Sequence, residues 1–275
     1  MTTALKFKSY GDQNARTILF LHGGGVAGWM WDPVVPLLPE FYCLVPDMPE
    51  HGASMDVRPF TMQLAADEAA ALVREQAHGG VAVVVGLSEG AQVAALMLST
   101  APEVMEKAFV SSALLLPMKG MGWLNSPGLL RASFRMSIPP FRNNNWWMRL
   151  NMKYSAAIPE AYFPQYRANF QIMNEDQFVD LLVENQKFRL PAGLEKVSVP
   201  TLALAGRHEY PVMRESARLL AQSLPHAQAR LIDLGPGSSM RTEHNWAMNA
   251  PDQFAAAVRA FINGTDLPAV LHPLD

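Results

Sequence analysis

Ser88 stands in the middle of Gly86-Leu87-Ser88-Glu89-Gly90, with a glycine two residues away on either side. Five small or β-branched apolar residues precede it at 81–85, and a small-residue helical pattern follows at 91–98. A buried strand that turns sharply into a helix tolerates little bulk beside the turn, and Gly86 and Gly90 supply that room. Such a turn holds its serine in a strained backbone conformation with the hydroxyl exposed above the sheet. The chemistry on offer is nucleophilic, and a serine hydroxyl needs a base to take its proton. Other residues compete for attention. His22-Gly23-Gly24-Gly25 follows the apolar run 17–21, and a glycine cluster there could cradle phosphate. It lacks the Gly-Lys-Ser/Thr ending and the GxGxxG spacing that phosphate sites use. Asp47 and His51 are acid/base candidates by type. Metal chemistry has no ligand set to rest on, since HExxH and any Cys/His cluster are missing from the sequence.

The elements that must hold these residues alternate between strand and helix. Residues 4–10 read as a short strand, 17–21 as a buried strand, 31–38 as a helix and 42–45 as a strand. An Ala-rich helix follows at 61–76, with Arg74 near the end where a helix dipole favours a cation. Strands are expected again at 108–112, 200–206 and 229–232, with helices at 213–224 and 251–262. The tail DLPAVLHPLD reads as loosely held. Cys43, the one cysteine, sits in the apolar run FYCLV and reads as a buried strand residue rather than a reactive thiol.

The strand–turn–helix around Ser88 is the G-x-S-x-G nucleophile elbow, and the chain resembles an α/β-hydrolase. HGGGVAGWMW resembles that family's oxyanion loop and the helix start behind it. DMPEHGAS is similar to its D-x-P-G-H-G-x-S turn, with Glu50 where a glycine is usual. The resemblance implies an α/β fold with a mostly parallel sheet flanked by helices. It also implies a nucleophile, an acid and a histidine in that chain order. Ser88, Glu209 and His244 match it, Glu209 three residues past Gly206 and His244 seven before Pro251, with Glu243 where the family has glycine. The backbone N–H groups of Gly24 and Glu89 are then the expected oxyanion donors. His22, Asp47 and His51 become architectural, and His208 is the weaker competitor for the base.

Residues 117–190 differ from the rest, holding 12 of the 25 aromatic residues and 6 of the 16 methionines, with prolines that break them into short pieces. This stretch is expected to be a helical cap inserted into a core made of residues 1–116 and 191–275. One helix is well marked: Asn174 with Gln177 forms a capping box, and Phe178, Leu181 and Leu182 its apolar face. Trp146, Trp147 and Phe170 are the aromatics expected to line the substrate pocket. Residues 117–159 carry six Lys/Arg and no acid, and 160–184 five acids and one Arg. Pairing of the two halves is favoured over an anion-binding cap.

The net charge of −3 gives no reason to expect a nucleic acid or an anionic membrane as partner. No leader-like apolar segment and no stretch of about 20 apolar residues appears, so a cytoplasmic protein is expected. The expected activity is a cofactor-independent, carboxylesterase-like cleavage of an ester or related acyl bond in a small apolar substrate. A same-fold lyase or C–C bond hydrolase is the alternative, and a binding protein that has lost turnover is a third possibility. Oligomeric state stays open.

Overall fold

The computed structural model describes residues 3–122 and 126–274. Trp123, one of the twelve aromatics counted above, and Asp275 of the tail lie outside the described residues. Strands β1 (Phe7–Tyr10), β2 (Thr17–Leu21), β3 (Tyr42–Pro46), β4 (Ala82–Leu87), β5 (Met105–Ser111), β6 (Thr201–Gly206), β7 (Ala227–Ile232) and β8 (Leu271–Pro273) build one sheet. Their order is β1-β3-β2-β4-β5-β6-β7-β8. The pairs from β3 through β7 are parallel, and the two outer strands, β1 and β8, are antiparallel. Every residue of β2, β4 and β6 is buried, as parallel strands covered on both faces must be.

Alternation along β2 divides the core. Leu19 and Leu21 pack with α1 (Met62–Gln76) and α2 (Glu89–Thr100) on one face. Ile18 and Phe20 face the other way, toward Trp31, Trp246, Phe254 and Val258. Between β5 and β6 the described chain is helical: α3 (Pro127–Ser137), α4 (Asn145–Ser155), α5 (Phe163–Ile172) and α6 (Glu175–Lys187). Then come α7 (Pro211–Gln222), α8 (Met240–His244), α9 (Trp246–Asn249) and α10 (Pro251–Asn263). No helix among the described residues is long and apolar enough to cross a membrane.

The capping box is present, with Asn174 Oδ1 accepting from Gln177 N at 2.9 Å. The buried stripe of α6 is shifted by one residue from expectation: Val179 and Val183 pack on Leu130 of α3, while Phe178 and Leu182 are only partly buried. Charge in this region is paired in part, Arg131 and Arg135 with Glu175, Arg131 with Asp176, and Arg149 with Glu160. Two expectations fail. The helix at 31–38 is instead two 3-10 turns, Gly28–Trp31 and Val35–Leu37. Pro33 and Pro36 lack the N–H groups that a continuous helix would need there. The tail is not loose either, because Leu271, His272 and Pro273 pair with β7 and Leu271 is buried.

Candidate active site

β4 runs directly into α2 through Ser88, whose backbone sits at φ 57° and ψ −115°. Few L-residues adopt that region, and it costs on the order of 1–3 kcal/mol. Surrounding geometry enforces it. A Cβ on Gly86 would collide with the Gly90 carbonyl, and one on Gly90 with the carbonyls of Leu21 and His22. Ser88 N donates to Ser111 O of β5 at 2.8 Å, which ties the turn to its neighbour strand. Gly23, at the end of β2, packs beside the Ser88 side chain.

Glu209 lies just past β6 with its side chain 2% exposed, and Oε1 is 2.5 Å from Nδ1 of His244. Its Oε2 accepts from Ser112 Oγ at 3.0 Å and from Gly206 N at 2.5 Å. His244, in the last turn of α8, keeps its side chain 35% exposed. Burial pulls the ring's pKa down, but the hydrogen bond and charge of Glu209 outweigh it, leaving the pKa above the ordinary histidine value. The residue in the place of the family's glycine has a clear task. Glu243 is fully buried, accepts from His208 N at 2.7 Å, pairs with His208 Nδ1 at 2.8 Å and accepts from Ser238 Oγ at 2.8 Å. It therefore pins α8 to the loop after β6, and His208 is spent in that contact.

Ser88, Glu209 and His244 line one cavity of about 240 Å³. Its apolar wall includes Leu114, Met118 and Met213, and the helical segment between β5 and β6 adds Ser155, Ala156, Asn185 and Gln186. The three aromatics expected there are elsewhere. Trp146 is 68% exposed, Trp147 borders a separate surface groove with Phe141, and Phe170 is buried in the core against Tyr166. The reason is rotational: α4 turns Met148 and Met152 inward, which carries Trp146 to the solvent side. Ser112 and Arg241 at this cavity were missed. Ser112 follows a strand that ends without an acid, and only Arg241's place three residues before His244 could have marked it.

Gly24 is exposed on its turn, and Glu89 opens α2. Among the described residues, neither backbone N–H donates to a protein acceptor. The Glu89 side chain is fully buried against Gly24, and neither carboxyl oxygen has a hydrogen-bond partner among the described residues. Burial, with a smaller contribution from Glu184, raises its pKa well above the usual carboxylate range. The remaining polar residues are fully occupied. His22 Nδ1 donates to Gly23 O and its Nε2 accepts from Met48 N. His51 Nδ1 donates to Pro49 O and its Nε2 accepts from Gly25 N. Burial lowers their pKa values to about 4 and about 3. Asp47 accepts from Gly28 N at 2.7 Å and Ala53 N at 2.8 Å, joining two loops. No group of three or more His, Cys, Asp or Glu side chains is placed to hold a metal ion among the described residues.

The sequence model of the Alpha/beta hydrolase family matches residues 18–257. An AB hydrolase superfamily protein of Gibberella zeae is 40% identical over 111 residues, 40% of this chain and 39% of that protein. Lipase LipV of Mycobacterium tuberculosis is 33% identical over 103 residues, 38% of this chain and 39% of the lipase. The chain thus spans about two fifths of the length of the curated relatives it matches. A thermophilic esterase from Thermogutta terrifontis shares the fold, with a TM-score of 0.68 at 20% identity over 94% of this chain and 93% of that one.

Proposed function

The chain belongs to the alpha/beta hydrolase family, and on that footing we propose that it is a cofactor-independent serine hydrolase cleaving a carboxylic ester of a small molecule. One observation carries the reading: a buried carboxylate bonded to His244 Nδ1, in the wall of the cavity that Ser88 also lines. With Nδ1 committed to Glu209, the other ring nitrogen is left to take the Ser88 proton. The serine oxygen then attacks the ester carbonyl, and the charge that develops falls to the N–H groups of Gly24 and Glu89, each worth on the order of 3 kcal/mol. Proton return from His244 releases the alcohol, and a water activated in the same way frees the acid.

Residues 117–190 act in this scheme as a cap. Support comes from Ser155, Ala156, Asn185 and Gln186, which lie in that stretch and line the cavity. The lipase and the esterase to which the chain is similar support ester chemistry. Turnover of 4-nitrophenyl butyrate by wild type and Ser88→Ala is the test. A loss of roughly 10⁴ or more is expected, down to what binding and the oxyanion donors alone supply. Retention of a tenth of the activity would remove Ser88 as the nucleophile.

A further inference from the structure

The cavity at Ser88 holds one charged side chain that ester cleavage does not use. Arg241 precedes His244 by three residues on α8, the spacing that sets two helical side chains on one face, and both line the cavity. Among the described residues, the Arg241 guanidinium makes no ion pair and no hydrogen bond. Its neighbours are taken. Glu209 gives its carboxylate to His244, Ser112 and Gly206, and Glu243 is held by His208 and Ser238. Arg207 and Arg214 nearby are each engaged, the first with Asp233 and the second with backbone carbonyls. The cavity therefore carries a cation that no group of its wall pairs with directly. Gln186 and Ser155, which also line it, add polar groups to the same space.

A guanidinium is a planar fork that matches a carboxylate with two parallel hydrogen bonds. We propose that Arg241 makes this enzyme selective for esters that carry a carboxylate a few atoms from the scissile bond, the ester being cut at Ser88 while Arg241 holds the acid. The inference rests on the serine-hydrolase reading above. Arg241 is exposed, so water and salt weaken the pair, and the gain expected is about tenfold, at the low end for a charge-assisted contact. It should fall in KM, because the carboxylate is bound alike before and during the reaction.

Monomethyl adipate and methyl hexanoate have the same length and differ only in a terminal carboxylate against a methyl group. Their hydrolysis can be followed by titrating the released acid in a pH-stat. The wild type should favour the monoanion by about tenfold in kcat/KM, less in high salt, and Arg241→Gln should bring that ratio to one or below. Arg241→Lys keeps a cation and should retain part of the preference, with an unchanged melting temperature confirming both folds. A wild-type ratio of one, or a ratio that Arg241→Gln leaves standing, overturns the assignment. Ser88→Ala separates the two readings: if it abolishes both reactions while the ratio is flat, only the role of Arg241 is lost. If both reactions survive it, the hydrolase reading is lost as well.

Discussion

His244 holds its place through one nitrogen and leaves the other to the cavity, and Glu209 supplies both influences that oppose its burial. A base works only when neutral. With its pKa raised above 6.5 by the Glu209 hydrogen bond and charge, the acid limb of kcat/KM should lie above pH 6.5. Glu209→Gln removes the charge and leaves at most a weaker, neutral hydrogen bond to oppose burial, so the limb should move down in pH while kcat falls by roughly 10⁴. A pH–rate profile with 4-nitrophenyl butyrate reads both changes, and an unmoved limb would place the acid elsewhere. Asp47→Asn should do the opposite, sparing kcat and lowering the melting temperature, since one of the two loop N–H groups, Gly28 or Ala53, loses its charged acceptor at a cost on the order of 1 kcal/mol. Ser88, Glu209 and His244 were legible because each stands at the end of a strand or ahead of a marked helix. Ser112 was not, because its value to Glu209 exists only once β5 and β6 lie side by side. Trp146, Trp147 and Phe170 misled because a count of aromatics says nothing about which way a helix is turned.

The elbow is an element whose sequence and geometry constrain each other closely. Gly90 lies against the carbonyls of Leu21 and His22, which are backbone atoms and cannot swing away, so Gly90→Ala must push α2 off β2. Overpacking of that kind costs on the order of 1–3 kcal/mol. Gly128, in α3, has open space where its Cβ would go, and Gly128→Ala should stabilise by up to about 1 kcal/mol. Chemical denaturation of the two variants checks the contrast, and equal effects would mean that the close approach at the elbow is not what selects glycine. This closeness is also why the elbow could be read from sequence. The strand β8 could not, since a three-residue edge pairing with one buried leucine leaves no periodicity to detect. The 3-10 turns before β3 were misread for a related reason: their apolar residues have helical spacing, and only the prolines between them say otherwise.

At the scale of the whole molecule, three buried titratable groups tilt stability in opposite directions with pH. His22 and His51 are held neutral, so below pH 6.5 the unfolded chain binds protons that the folded one refuses. Stability should be complete above pH 6.5 and fall as pH drops toward 4 and 3, by several kcal/mol in all. Glu89 works the other way. Its raised pKa means that the folded chain holds a proton which the unfolded chain releases above pH 4.5, so stability declines as pH rises from there. Glu89→Gln should match wild type in urea melts at pH 4 and exceed it at pH 8, and an identical pH slope in the two proteins would contradict a protonated Glu89. The central claim concerns Ser88, and intact-mass analysis after treatment with a fluorophosphonate tests it most directly. One adduct per chain is expected, mapped to the peptide holding Ser88, absent in Ser88→Ala and much slower to form in Glu209→Gln. An unlabelled wild type, or an adduct on any other residue, would contradict it.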